Sequence, residues 1–285
     1  GGVVFEDDLG FLDQGVAQGG VVDTPDGRWF CYLFQDRGAA GRMPVLIPMT
    51  WEDGMPVIGE NGKVPAMVTN RCGRPGWVCA PLYGSDDFRG EMKPFWEWNH
   101  IPDRSLLSYG SGRYTIRFGK TCESLTQAAN TLTQRTLYPG CFAAVTLDGS
   151  QLRDGDIAGL CALQDRWAFA GLACEAGELF VTLRARNENG PADGVEVERI
   201  SVPGDRVRLG VWFDFECMKD KATFYLQQNG AWRELGQGYR HQMTYLLTHF
   251  TGYRIALFGF AREGAGGSAA FEDFVYETEK PACYI

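Results

Sequence analysis

The stretch Arg206-Val-Arg-Leu-Gly-Val-Trp-Phe-Asp-Phe-Glu216 places Val207, Leu209, Val211, Phe213 and Phe215 at every second position. A period of two belongs to a β-strand that lays one face on a core. The same alternation runs through Arg113-Tyr-Thr-Ile-Arg-Phe118 and Leu179-Phe-Val-Thr-Leu-Arg184. Ala222 to Leu226, Ile255 to Ala261 and Phe271 to Glu277 add further strand signals, and Asn229-Gly230 supplies a tight turn before Trp232. Strand signals repeating about every ten residues indicate an antiparallel sandwich, placed at residues 95–285. Thr121 to Arg135 reads as a loop leading into a strand rather than a helix.

Upstream, turn signals crowd the chain: Gly19-Gly20, Thr24-Pro25-Asp26-Gly27, Gly38 to Gly41, Asp53-Gly54 and Asn61-Gly62. Between them lie the strand candidates Val21 to Asp23, Arg28 to Gln35 and Val45 to Trp51. Several short antiparallel strands in residues 1–65 match one propeller blade. Residues 66–94, rich in Gly, Pro and Cys, read as a connector that wraps. The expected fold class is all-β: a partial propeller, its last blade, followed by a jelly-roll sandwich.

Composition narrows the function. The chain of 285 residues carries 27 Lys+Arg against 36 Asp+Glu, a net charge of −9. That balance argues against a nucleic-acid partner, which needs a basic face, and fits a neutral partner such as a sugar. No apolar run approaches the roughly 18–20 residues needed to cross a bilayer, so no membrane partner is expected. Nine cysteines without a C-x-x-C and three histidines make a zinc site improbable and read as buried reduced thiols of a cytoplasmic protein. The start at Gly1 has no signal-peptide pattern and reads as a cut inside a larger protein.

Candidate chemistry is sparse. Glycoside cleavage uses two carboxylates, and Asp214 and Glu216 have the i, i+2 spacing that puts two acids on one strand face. Their aromatic neighbours make them an ordinary half-buried strand first. His100, His241 and His249 are dispersed and read as hydrogen-bonded histidines rather than bases. Trp96 and Trp98 share a strand face, first as a pair packed in the sandwich core and second as a sugar-stacking platform.

Several linked motifs resemble a known family. Gln18-Gly-Gly-Val-Val-Asp-Thr-Pro-Asp-Gly-Arg-Trp-Phe30 and Leu33-Phe-Gln-Asp-Arg-Gly38 resemble the last propeller blade of glycoside hydrolase family 43. Gly41-Arg-Met-Pro44, Trp51-Glu-Asp-Gly54 and Gly62-Lys-Val-Pro65 continue the match. Phe95-Trp-Glu-Trp-Asn-His-Ile-Pro102, Asn130-Thr-Leu-Thr-Gln-Arg135, Leu147-Asp-Gly149 and Gly155-Asp-Ile-Ala-Gly-Leu160 resemble the C-terminal sandwich of its β-xylosidases and arabinofuranosidases. That sandwich is a concanavalin-A-like jelly roll, also classed as carbohydrate-binding module family 91.

The resemblance implies the C-terminal portion of an inverting exo-hydrolase acting on xylo-oligosaccharide or arabinoxylan. The family's three essential carboxylates come from earlier blades, so no catalytic residue is carried over to this chain. Arg42 falls where relatives place an arginine that binds sugar hydroxyls, and Gln18 where many carry a histidine. Tyr253 is the nearest match to an aromatic sent into the active-site mouth. Trp96, Trp98 and Trp232 are the stacking candidates if the chain is instead a carbohydrate-binding module or a structural buttress. No cofactor is required, a structural calcium ion is compatible, and the implied partners are the remaining propeller blades or a second copy of the chain.

Overall fold

The computed structural model describes residues 5–69, 75–246 and 251–282. Strands β1 (Ala17–Asp23), β2 (Trp29–Asp36), β3 (Arg42–Glu52) and β4 (Met55–Ile58) form an antiparallel sheet in that order, a four-stranded meander with the strand order of a propeller blade. The Pro25-Asp26-Gly27 reversal joins β1 to β2, with Gly27 at φ 79°, in the left-handed region that glycine enters without strain. Register places Cys31 opposite Val21 on one side and Ile47 on the other, and Trp29 opposite Met49. One face of the blade is therefore apolar. Val16, Cys31, Ile47 and Met49 are buried on it, with Phe5 and Val64 packed alongside. Coverage is incomplete: Val21 stays 54% exposed and Trp51 45%.

The remaining strands build two packed sheets. β5 (Glu97–Trp98), β6 (Leu107–Gly110), β7 (Arg113–Arg117), β8 (Leu132–Arg135) and β9 (Gly140–Asp148) come first. β10 (Asp156–Leu163), β11 (Ala168–Glu175), β12 (Glu178–Ala185) and β13 (Val195–Ser201) follow as a meander. β14 (Arg206–Asp214), β15 (Lys221–Gln228), β16 (Ala231–Glu234), β17 (His241–Gln242), β18 (Arg254–Ala261) and β19 (Ser268–Glu277) complete the chain. One sheet runs β13-β12-β11-β10-β18-β8-β5; the other runs β16-β15-β14-β9-β19-β7-β6, with β17 on β15. The crossovers between sheets make this an antiparallel jelly-roll sandwich, as expected.

Facing side chains such as Leu160, Leu172, Leu183, Leu209, Val211 and Phe213 fill the space between the sheets. The outer face of the β10 sheet is covered as well. The segment Thr121 to Arg135, expected to be a loop leading into a strand, holds a 3-10 turn at Leu125–Gln127 before β8, and its Cys122, Leu125 and Ala128 pack on Phe169, Phe258 and Phe260. Every residue of β10 is consequently buried.

The connector reading of 66–94 changes in its last part. Phe88 is fully buried in the sandwich core, and Asp86 pairs in bridge geometry with Phe274. Gln134 exchanges two hydrogen bonds of 3.0 Å with the backbone of Gly84. These residues belong to the sandwich because a buried aromatic and a satisfied buried amide fix them there.

Candidate functional site

The blade meets the sandwich through a 3-10 turn, Gly38–Ala40, between β2 and β3. Ala39 is fully buried; its N–H donates to Asp220 Oδ2 at 3.0 Å and its carbonyl accepts from the Tyr253 N–H at 2.9 Å. Gly41 (φ 88°) and Gly252 (φ 78°) let the two backbones touch: a Cβ on Gly252 would sit 2.3 Å from the Ala40 carbonyl oxygen. Burial pushes the Asp220 carboxyl up to about 6, the Ala39 bond opposing and nearby Asp214 adding to the shift.

Arg42, the first residue of β3, follows directly on this crossing. Its Nε donates to Asp36 Oδ1 at 3.2 Å and to the Tyr245 hydroxyl oxygen at 3.1 Å, and its guanidinium lies 4.1 Å from the centre of the Phe34 ring. The Tyr245 hydroxyl donates to the same Asp36 oxygen at 2.9 Å. The Tyr245 bond holds the Arg42 guanidinium above its ordinary value, with Asp36 contributing in the same direction. Blade and sandwich thus fix one arginine together. Arg42 also lines a cavity of about 460 Å³ at the junction, with Arg37, Arg135, Tyr138, Tyr253 and Arg254 among its walls.

The family described as the beta xylosidase C-terminal concanavalin A-like domain matches residues 85–277. The chain belongs to that family. It is 33% identical over 231 residues to a putative beta-xylosidase of Xylanibacter ruminicola, covering 76% of this chain and 40% of that protein. A bifunctional GH43-CE structure from Bacteroides eggerthii superposes with a TM-score of 0.83 at 38% identity, covering 97% of this chain and 35% of that one. A GH43 glycoside hydrolase engineered to display endo-xylanase and exo-arabinofuranosidase activity also gives 0.83, at 29% identity, over 94% of this chain and 56% of its own. The chain spans less than half the length of the curated relatives it matches.

In this member of the GH43 C-terminal family the expected site residues do not all meet. Gln18 sits exposed on β1 at a bulge (φ 54°), beside the Ala17–Phe34 pair. Arg42 stacks on that same Phe34, so Gln18 and Arg42 share one end of the blade. Tyr253 departs from the expectation of an aromatic in the mouth. Its ring is buried, and its hydroxyl donates to the Arg166 carbonyl inside the sandwich.

Trp96 and Trp98 form no sugar platform. Trp96 is buried, its Nε1 donating to Asp86 Oδ2 at 2.7 Å, and Trp98 packs against Tyr114. Trp232 is half-buried on the outer face of the other sheet, edge-on to Phe142 at 5.4 Å. Asp214 and Glu216 also separate: β14 ends at Asp214 and Glu216 lies in a following 3-10 turn. Lys219 bridges them at 3.5 and 2.7 Å and holds Glu216 below the carboxylate range, the opposite of what a general acid needs.

His100 Nε2 lies 2.7 Å from the Thr126 carbonyl oxygen, His241 is fully buried, and His249 lies outside the described residues. Five of the seven described cysteines are buried and none is in a disulfide; Cys72 and Cys283 lie outside the described residues. Among the described residues no three His, Cys, Asp or Glu side chains converge as a metal-ligand set, and no helix is long and apolar enough to cross a membrane.

Sequence reasoning missed Asp36, Tyr245 and Asp220. Asp36 lies inside the quoted Leu33–Gly38 motif. Tyr245 and Asp220 carry no local signal, because their partners are 209 and 181 residues away.

Proposed function

We propose that this chain is the C-terminal part of a xylan-degrading exo-glycoside hydrolase, a β-xylosidase or α-L-arabinofuranosidase. Its blade and sandwich supply one wall of the sugar-binding pocket. The parent takes xylo-oligosaccharides or the ends of arabinoxylan, and hydrolyses them with inversion. In such a reaction one acid protonates the leaving oxygen while a base activates water, the two carboxyls standing about 6.5–9.5 Å apart. Those carboxyls reside in the parent's other blades, which also cover the exposed Val21 and Trp51; the alternative cover is a second copy of this chain.

The observation that carries this reading is the clamping of Arg42 by Asp36 of the blade and Tyr245 of the sandwich. A guanidinium clamped by both units is held in a fixed position and orientation, which suits recognition of a sugar hydroxyl. The sandwich then shapes the pocket as well as supporting it. In the intact parent, Arg42→Ala is expected to lower kcat/KM roughly ten- to hundredfold with the fold retained. Unchanged kinetics would reduce Arg42 to a structural ion pair.

A second reading is a carbohydrate-binding module acting through the sandwich. The half-buried Trp232, outside the main core, favours it. Titration with xylo-oligosaccharides separates the two: binding at millimolar or better that is lost in Trp232→Ala supports the module, and silence of the sandwich supports a buttress.

A further inference from the structure

The cavity at the junction has an excess of positive charge that hydroxyl recognition does not require. Arg37, Arg135 and Arg254 line it beside Arg42. Arg135 and Arg254 share one carboxylate, Glu97, at 3.2 and 2.7 Å. Arg37 lies over the rings of Phe11 and Tyr138, at 3.7 and 5.2 Å, and among the described residues no carboxylate pairs with it. Leaving Arg42 and Asp36 aside, three guanidinium groups therefore face one carboxylate in a chain whose net charge is −9. Local positive charge against an acidic background concentrates anions.

A second feature points the same way. The Arg254 side chain is 15% exposed, and its Nε is buried without a hydrogen-bond acceptor. The same guanidinium donates to Glu97 and, at 3.3 Å, to Thr133 Oγ1, so it is the Nε–H alone that stays unsatisfied, at a cost an added acceptor would relieve. The rest of the wall is of the kind that packs on a sugar ring: Tyr83, 36% exposed, and Tyr138 offer aromatic surface. The cavity's volume of about 460 Å³ accommodates a single pyranose ring with its substituents.

We propose that this cavity binds a carboxylate carried on a sugar, a uronic-acid substituent of the oligosaccharide whose backbone occupies the pocket beside Arg42. The carboxylate accepts from the arginines in the planar, paired geometry that guanidinium favours, and the ring lies on tyrosine. The inference rests on the sugar-pocket reading above and adds a substrate class to it: acid-decorated rather than only neutral chains.

The 285-residue chain is titrated by calorimetry with xylotriose bearing a glucuronic acid, with plain xylotriose and with acetate. The expected result is affinity for the acidic sugar at least about tenfold above either control, falling with added salt, and reduced about tenfold in Arg37→Gln and in Arg135→Gln. Arg135 is 57% exposed, so its variant tests binding without burdening the fold. Equal affinity for the acidic and neutral sugars overturns the inference while leaving the sugar pocket standing. Acetate binding as tightly as the acidic sugar reduces the cavity to an anion site, and preference unaltered in both variants places the ligand elsewhere; each overturns it. Absence of all binding, with Arg42→Ala still impairing the parent, also overturns it without touching the proposed function. Conversely, selective binding of the acidic sugar beside an Arg42→Ala parent of unchanged kinetics overturns the proposed function instead.

Discussion

Asp220→Asn isolates the energy stored at the junction between blade and sandwich. The Asp220 carboxyl is raised from an ordinary 3.8 to about 6 by burial, so the folded protein holds a proton there that the unfolded chain releases. Its contribution to stability is fully present below about pH 4 and is lost as pH rises through about 6. A shift of about two units corresponds to roughly 3 kcal/mol, forfeited once the group ionises in the fold. Asparagine keeps the shape and the acceptor for the Ala39 N–H but cannot ionise. It also places an N–H₂ where Asp220 Oδ1 is buried without a partner, at a cost of about 1 kcal/mol. By pH 4.5 the parent chain has already forfeited about 1 kcal/mol, so the variant is expected to be about equally stable there and about 2 kcal/mol more stable at pH 7.5. With about 2–4 °C per kcal/mol in a chain of this size, scanning calorimetry would see a Tm close to the parent's at pH 4.5 become one several degrees above it at pH 7.5. Asp156, also raised to about 6, titrates in both proteins and cancels in the comparison. A Tm difference that stays constant between the two pH values would refute the reasoning.

His241 titrates with the opposite sign. Burial lowers it from 6.5 to about 4, so its stabilising effect is present above pH 6.5 and lost as pH falls toward 4. His241→Gln should therefore lose less stability than the parent chain between pH 7 and 4.5, by an amount on the order of 2–3 kcal/mol, read from urea midpoints; equal losses count against a neutral buried imidazole. Gly252→Ala forces a side chain to φ 78° and into the Ala40 carbonyl, so it should destabilise the junction by at least about 2 kcal/mol. Hydrogen exchange would then show lost protection in β2 and β3 with β9 and β10 unchanged, and unaltered β2 protection would contradict the close crossing. The 285-residue chain should not hydrolyse aryl xylosides or aryl arabinofuranosides; turnover abolished in Asp214→Asn or Glu216→Gln would place catalytic carboxylates here after all.

How much of this was legible in the sequence depended on how many faces each strand buries. β14 buries mainly one face, so Val207, Leu209, Val211 and Phe213 alternate with the exposed or half-buried Arg206, Arg208, Trp212 and Asp214, only Gly210 being buried between them, and announce a strand. β10 and β11 are buried on both faces, one against the opposite sheet and one under the 121–131 segment. Their Ala, Gly, Leu and Cys therefore lack alternation, and the pattern had nothing to show. Gly159 and Gly171 pair across these strands where a Cβ would strike the neighbouring backbone within 2.4 Å, a packing demand that reads in sequence as a turn. The site divides along a similar line. Arg42 and Asp36 lie within six residues of each other and inside recognisable motifs, so one of them could be named from sequence. What turns that arginine into a positioned donor comes from Tyr245, and what seats the turn before it comes from Asp220. Both reach the blade only after β14, β15 and the chain beyond them have closed the sandwich. A motif can locate such an arginine, but its clamp exists only in three dimensions. If the parent uses Arg42 on sugar, the sandwich is part of the active-site wall, and detaching it from the blade should impair substrate use even with every catalytic carboxylate in place.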